Sequence, residues 1–431
     1  MISRRLICGR YFFDLLYTDM KKSVLFIVFL LALLQGSWAQ KDNLAYYISQ
    51  AVRNSPLLVD YQNQVLANQV DSQRILAGYK PQVTGNSYNS YAPVIGGFGY
   101  DQAISNGANI VAVVGVNKTF VSKKNLASQF NTIGLQSQSA QNASKISEQD
   151  LKRSVTAQYL IAYGDMLQLH FNQDIYTVLR KEESILKGLT EKNVYKQTDY
   201  LTFLVTVQQQ KLLYRQLEVQ FQNDYGTLNY LCGITDTASV VLQDPQIQLS
   251  QLPDIAHSIF LQQFALDSLK LTNNKTVIDF SYKPKASVFA DAGYSSSLVF
   301  EAYKNFGTSF GFSVTVPIYD GHQRKLQYSK LDIAERTRST YKTFFVNQYS
   351  QQIAQLTQQL RATEDLIGQI NEQIRYSESL IQVNEKLLET GDAKIADYII
   401  ALNNYLNAKN LLTQNNITRL QIINQINYWN R

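Results

Sequence analysis

The 431-residue chain is predicted to be mainly α-helical with a smaller β component, built as a duplicated helix–strand–strand–helix–helix unit. Three observations carry that prediction. One helical run reaches about 65 residues and holds a heptad seam. Two separate regions alternate like pairs of strands. Short motifs recur at a fixed offset between the two halves.

The seam lies between Gln323 and Leu388. From Ile353 the apolar residues fall three and four apart, through Leu356, Leu360, Thr363, Ile367, Ile370 and Ile374. Ser377 interrupts, and Ile381, Asn384 and Leu388 keep the phase, with Gln, Glu and Asn on the other faces. That is coiled-coil spacing, and at 1.5 Å per residue the run extends about 100 Å. It turns at Glu389-Thr390-Gly391-Asp392, where Gly supplies the stop and an acid opens the next helix. The return, from Ala393, carries Ile395, Ile399, Leu402 and Leu406. An antiparallel helical hairpin of this length exceeds what a globular core requires.

Composition agrees. Only 7 prolines occur, and an interior proline would break such helices. Hydrophobic residues make up 45% of the chain and charged residues 17%. At the N-terminus, Met20-Lys21-Lys22 precedes the apolar run Val24–Leu34 and then Ser37-Trp38-Ala39. A basic start, a short apolar core and small residues at −3 and −1 read as a secretory signal cut after Ala39, with Met20 as the expected start. The run is too short to span a membrane. Five Lys/Arg and two Asp/Glu precede residue 40, which leaves +3 of the formal +6, too little to argue for nucleic acid. Cys8 leaves with the signal, so Cys232 stands alone and no intramolecular disulfide is expected. No Cys follows the cleavage site to take a lipid anchor.

In order along the chain, Asn43–Lys80 reads as helix through Leu44, Ile48, Val52, Leu58, Val65, Leu66 and Ile75, until Pro81. Residues 82–120 turn to Tyr, Ser, Gly and Val around Gly96-Gly97-Phe98-Gly99, and read as two strands with a long loop, the second Asn109–Phe120. Helices follow from Lys123 to about Leu189 and from Thr198 to Leu231. The second half begins with a helix near Ile255–Leu271. Ala286, Val288, Ala290, Ala292 and Tyr294 then point one way and Lys285, Ser287, Phe289 and Asp291 the other. The partner strand alternates Phe310, Phe312, Val314, Val316 and Ile318 with Gly311, Ser313 and Thr315.

The halves match by sequence. Tyr79-Lys80-Pro81 returns as Tyr282-Lys283-Pro284 at an offset of 203. Thr198-Asp199-Tyr200-Leu201 returns as Ala396-Asp397-Tyr398-Ile399, and Leu228-Asn229-Tyr230 as Ile426-Asn427-Tyr428, both at 198. Phe120 and Ile318 keep that same offset, so only the strand hairpins differ in length. The expected organisation is a signal region at 1–39, a first repeat at 40–250 and a second at 251–431.

Strands of about ten residues with one apolar face suit a transmembrane barrel. Four strands cannot close one, and lipid tolerates no open edge. The strands at about 82–120 and 284–319 are therefore expected to form one chain's share of a β-barrel completed by trimerisation. The remaining helices would form a long coiled-coil α-barrel.

This arrangement resembles the TolC family of outer-membrane efflux proteins over essentially all of residues 41–431. The resemblance is carried by Asn54-Ser55-Pro56, the Lys-Pro pairs before both strand hairpins, Val316-Pro317-Ile318-Tyr319-Asp320-Gly321, and Gly391 followed by Asp397-Tyr398-Ile399. It implies a homotrimer in the bacterial outer membrane that reaches into the periplasm. Such a trimer is a passive exit duct of a tripartite efflux or type I secretion system, docked on a periplasmic adaptor (membrane fusion) protein and an inner-membrane pump, with no cofactor. The tips at Leu189–Asp199 and Leu387–Asp397 would form the gate and the adaptor contact. Asp397 falls on the acidic position lining the aperture, and Asp199, on the other hairpin, on the acid that takes the usual salt-bridge lock of the closed gate. Thr390, Gly391, Asp392 and Thr198 fall at the adaptor-contact tips. A carboxylate from each of three chains would make a cation-sensitive ring. The chain departs from the family pattern at Ile400, where a second acid is usual, and at Ala393, where an arginine locks the closed tip. The plainer reading of both aspartates is a first-turn acid at a helix N-terminus.

Other motifs point elsewhere and fail. Gly307-Thr308-Ser309-Phe310-Gly311 fits a nucleophile elbow, but that motif needs a strand-to-helix turn and this serine lies inside an alternating strand. His170, His257 and His322 lack metal-ligand spacing, and no Gly-Lys pair exists for a phosphate loop. Lys123-Lys124 and His322-Gln323-Arg324-Lys325 fall just below the strands, as lipid-headgroup contacts or as a solvated junction. Tyr88, Tyr91, Tyr100, Tyr294 and Tyr303 fit interfacial aromatic belts or packing within the hairpin loops. Two other functional classes compete with the duct. One is an exported coiled-coil scaffold or adhesin without a conduit, which would need no strands. The other is a periplasmic hydrolase, which would need a paired catalytic constellation.

Overall fold

The computed structural model describes residues 43–430 apart from 102–106, 237, 239, 252–254, 256–257, 300 and 393. The signal region with Met20, His257 and Ala393 lie outside the described residues. Eleven elements follow in order: α1 (Leu44–Asn54), α2 (Pro56–Gly78), β1 (Gln82–Tyr91), β2 (Ala108–Phe120), α3 (Lys123–Glu191), α4 (Gln197–Cys232), α5 (Ile259–Ser281), β3 (Lys285–Ser296), β4 (Phe306–Thr315), α6 (Gln323–Thr390) and α7 (Ile395–Tyr428). A short 3₁₀ turn, Ala302–Lys304, lies between β3 and β4.

The long helices form as their periodicity dictates. α3 has 69 residues and α6 has 68, each about 100 Å long. Every position of the α6 seam is buried or half-buried, including Thr363, Ser377 and Asn384. Asn384 keeps its amide satisfied by donating to the Leu380 carbonyl at 2.9 Å, which is how a polar residue survives in that stripe.

Three boundaries differ from the sequence expectation. The run Asn43–Lys80 is two helices, because Pro56 takes the first position of α2 and Ser55 caps it from extended backbone, φ −72° and ψ 113°. α5 starts at Ile259, where the Ser258 hydroxyl accepts the Leu261 N–H at 3.3 Å, and it runs on to Ser281. β4 ends at Thr315 rather than Ile318, since Pro317 has no N–H to give a ladder.

The described chain divides into two compact units. The first comprises the residues up to Asn54 with Ser154–Gln248 and Thr363–Gln421. Its largest core joins α3 (Ile175, Leu179, Leu186), α4 (Phe203, Val207), α6 (Leu388) and α7 (Ile395, Tyr398, Leu402, Leu406), with Tyr195 from the α3–α4 loop. In the same unit α1 sits on α4, where Tyr47 and Tyr225 hydroxyls meet at 3.2 Å. Cys232 is buried there, and burial pushes its thiol up to about 12.

The second unit comprises Ser55–Arg153, Leu249–Ala362 and the residues from Ile422. It holds an antiparallel sheet in the order β1-β2-β3-β4. Val83 pairs with Val116, Val116 with Ala290 and Ala290 with Phe310, while Val288 pairs with Phe312 and Ala286 with Val314. Directly paired residues share a face, so this register gathers the apolar residues on one side. The other side carries Thr84, Asn86, Asn117, Ser287, Asp291, Ser309 and Ser313. Phe289 on that polar side lies over Gly311, where an added Cβ would come within 2.6 Å of its ring. Below the sheet, α5 meets α3 through Asn273, whose amide donates to the Ser128 carbonyl (3.0 Å) and the Thr132 hydroxyl (2.7 Å). Trp429 packs among Phe260, Phe345 and Tyr349.

Candidate functional site

The two loops expected to carry function both fall in the first unit. They are the turn from α3 to α4 and the turn from α6 to α7. Each ends its first helix with the same pair of bonds. Val194 N–H donates to Leu189 O (2.9 Å) and Asn193 N–H to Thr190 O (3.0 Å); Asp392 N–H donates to Leu387 O (2.9 Å) and Gly391 N–H to Leu388 O (3.2 Å). This is a Schellman stop, which needs a left-handed residue just past the helix. Asn193 at φ +60° and Gly391 at φ +82° fill that position, at the repeat offset of 198.

The outgoing helices also start alike. Asp199 and Tyr200 donate to the Lys196 carbonyl at 3.0 and 3.3 Å, and Asp397 and Tyr398 to Lys394 at the same two distances. The side chains then part company. The Asp199 carboxylate accepts the Lys196 N–H at 3.3 Å and is half-buried, a helix-capping arrangement. Asp397 is exposed. Thr198, Thr390 and Asp392 are exposed too, and the Thr390 hydroxyl reaches Asp392 at 2.9 Å. Gly391 is half-buried against Val194, whose methyl would lie 2.6 Å from an added Cβ. Ile400, at the second acidic position of the family pattern, is exposed and apolar.

The tie between the loops is Tyr195, which the sequence reading passed over. It is buried, and its hydroxyl donates to the Leu388 carbonyl at 3.3 Å. Burial raises its phenol pKa, and the nearby Asp392 and Asp199 carboxylates raise it further, so one acid from each tip loop stands close to this ring. Tyr398 is raised by burial first and then by Glu182 and Glu385, and its ring lies 6.3 Å from Phe203. One signal for Tyr195 was available in the sequence: an aromatic residue just before a helix inside a polar loop.

A second feature without a motif lies higher in the same unit. Asp165 of α3 stands near Asp224 of α4, and burial plus that like-charged neighbour push Asp165 up to about 7. Gln158 donates to Asp224 at its carbonyl (3.0 Å) and its carboxylate (3.3 Å), and Gln220 also binds that carboxylate. The second repeat places Thr363 and Ile422 at the matching sequence positions.

In the other unit the sheet's apolar side is exposed. Phe310 is 89% exposed and Phe312 80%, beside exposed Phe306 and Val314. Leaving such side chains in water forfeits roughly 1.5–3 kcal/mol each. β1 and β4 are the edges of this sheet, each paired on one side only among the described residues. Ser309 lies inside β4 and donates to Asp291 at 2.7 Å, across the directly paired position. Tyr294 packs edge-on against Phe306, whereas Tyr88, Tyr91, Tyr100 and Tyr303 are exposed. Among the described residues no helix is long and apolar enough to cross a membrane, and no group of three metal-ligating side chains occurs.

No family model matches the chain, and no curated protein matches it in sequence. Solved structures do match it in fold. The outer membrane protein VceC of Vibrio cholerae shares 13% identity with a TM-score of 0.69, over 90% of this chain and 96% of its own. The CmeC outer membrane channel of Campylobacter jejuni shares 10% identity with a TM-score of 0.70, over 90% and 85%. The MtrE outer membrane channel of Neisseria gonorrhoeae, in its open state, shares 12% identity with a TM-score of 0.70, over 90% and 88%. The chain therefore has the fold of the TolC-like outer-membrane channels.

Proposed function

We propose that this chain is one protomer of a homotrimeric exit duct in the bacterial outer membrane that extends into the periplasm. The observation that carries the reading is the sheet. It has one exposed aromatic and aliphatic side, one polar side and two open edges. Lipid accepts that apolar side but not the edges. Three copies would remove the edges by pairing β4 of each with β1 of the next, giving twelve strands around a polar lumen. The fold shared with solved outer-membrane channels supports the same assignment.

The conduit needs no chemistry of its own. Transport through it is passive, and the energy enters from an inner-membrane pump through a periplasmic adaptor. The two tip loops are the adaptor contact, presenting Thr198, Thr390, Gly391 and Asp392. Asp397 from each chain forms the constriction, and Asp199 supports it from the neighbouring loop as a helix cap. Both repeats, 40–250 and 251–431, then contribute equally to wall and barrel, after removal of the 1–39 leader.

Planar-bilayer conductance of the detergent-extracted protein, with its mass measured in parallel, tests the duct. Discrete channels from a trimer are expected. A water-soluble monomer without conductance would return the chain to the exported coiled-coil scaffold. Asp397→Asn in the conducting trimer tests the ring, with reduced cation selectivity expected; unchanged selectivity removes Asp397 from the constriction.

A further inference from the structure

The two places where strands hand over to long helices share a frame and differ in content. In the first repeat Gln129 donates to the Tyr79 hydroxyl at 2.7 Å; in the second, Gln327 donates to Tyr282 at 3.4 Å. The two glutamines stand 198 residues apart and the two tyrosines 203, so the junctions are equivalent by sequence. Around that common bond the first repeat carries Leu76, Val121, Leu126, Ala127 and Phe130. At the matching positions the second repeat carries Asp279, Tyr319, Arg324, Lys325 and Tyr328.

Those substitutions help build a cleft of about 440 Å³ whose polar lining is Tyr282, Tyr319, Tyr328, His322, Arg324 and Lys325 with one acid, Asp320, which is engaged by backbone N–H groups. Its floor is fixed. Arg324 binds the Asp279 carboxylate, its Nε lies 3.0 Å from the Tyr328 hydroxyl, and Tyr328 in turn donates to Asp279. The rim is also held. Asp320 accepts the N–H groups of His322 and Arg324, both at 2.9 Å, and this keeps His322 at φ +66°. A left-handed backbone is uncommon outside glycine, though histidine adopts it more readily than most residues, and the two bonds to Asp320 hold it here. The imidazole stands edge-on to Tyr319, 5.9 Å between ring centres. Lys325 is exposed on the same rim.

The cleft lies in a graded sequence of side chains. Phe310, Phe312 and Val314 lie along the apolar side of β4; past its end at Thr315 the chain continues through the exposed Val316 and Ile318 (94% exposed) to Tyr319 and then the cations. Hydrocarbon, aromatic interface and phosphate follow each other in that order across one leaflet of a bilayer. We propose that this cleft binds the phosphodiester headgroup of a membrane phospholipid, with Lys325 and the His322 imidazole donating to the phosphate oxygens. Tyr282 and Tyr319 lie at glycerol depth, and the acyl chains run along the apolar side of β4. The Asp279–Arg324–Tyr328 cluster is the positioning element beneath. The site rests on the duct reading, since it requires that β4 face lipid.

The test is native mass spectrometry of protein released from nanodiscs of phosphatidylethanolamine and phosphatidylglycerol. It compares the unmodified protein with Lys325→Ala/His322→Ala, which leaves the Asp279–Arg324 pair in place. Retained phospholipid, up to one per chain, is expected to fall at least tenfold in the double variant and to stay unchanged in Lys124→Ala at the first junction. Equal retention in the double variant overturns the site. So does binding of inorganic phosphate in place of lipid at matched concentration. Both proteins should trimerise and conduct alike. If the unmodified protein does neither, the duct reading fails and the site fails with it; a conducting trimer with equal retention fails the site alone.

Discussion

The two tip loops have one backbone and two sets of side chains. Their helix stops and starts agree bond for bond at an offset of 198, yet the left-handed position is Asn193 in one and Gly391 in the other. The difference follows from what each residue meets. Gly391 packs against Val194, so that position excludes a side chain. Asn193 is exposed, and asparagine is the side chain that tolerates this conformation best. Duplication preserved the fold of the loop, and local crowding set which residue each copy kept.

The largest expected effect breaks that equivalence from the crowded side. Gly391→Val imposes a left-handed β-branched residue and a clash with Val194, and should weaken the second tip by about 3 kcal/mol. Amide hydrogen exchange over residues 387–398 would read it. Asn193→Gly, its counterpart, should change the first tip by only a few tenths of a kcal/mol in the stabilising direction.

The repeats differ next in the Asp165–Asp224 pair, which the second repeat lacks. Asp165 titrates near 7 when folded, above the usual carboxylate range. Between about pH 4 and 7 the folded chain therefore binds more protons than the unfolded one, and stability falls as pH rises through that window. Because Asp165 is only half-buried, the loss should be roughly 1–2 kcal/mol rather than the full value of its shift. Asp165→Asn should flatten this slope in denaturation curves taken at pH 5 and pH 8.

Two smaller changes sharpen the comparison of the tips. Tyr195→Phe removes a side-chain tie to the Leu388 carbonyl and should loosen the pair of loops by about 1 kcal/mol or less. That carbonyl keeps its bond from the Gly391 N–H, so no buried acceptor is orphaned. Asp199→Ala should cost roughly 0.5–1 kcal/mol through the lost cap. Asp397→Ala, at the matching but exposed position, should cost less. Equal costs, read by exchange at the first turns of α4 and α7, would show that the two acids act alike.

The junctions teach the complementary lesson. There the frame was again kept, through Gln129–Tyr79 and Gln327–Tyr282, but a polar cluster stands in one copy where the other has Leu76, Leu126 and Phe130. At the tips the copies kept the backbone and the acid at 199 and 397 but exchanged the left-handed residue and the residues next to it, Val194 for Asp392 and Tyr195 for Ala393. At the junctions they diverged in chemistry.

Periodicity alone made the long helices, the seam of α6, the four strands and the duplication legible, because each depends on neighbours within a few residues along the chain. The seam positions from Ile353 to Leu388 are buried or half-buried as read, and Ala286–Tyr294 alternate as read. Gly391 was legible as a helix stop for the same reason. Tyr195, the Asp165–Asp224 pair and the Asp279–Arg324–Tyr328 cluster were not. Their partners lie 193, 59 and 45 to 49 residues away. No local pattern announces such meetings, since the packing of helices and the pairing of strands bring those side chains together.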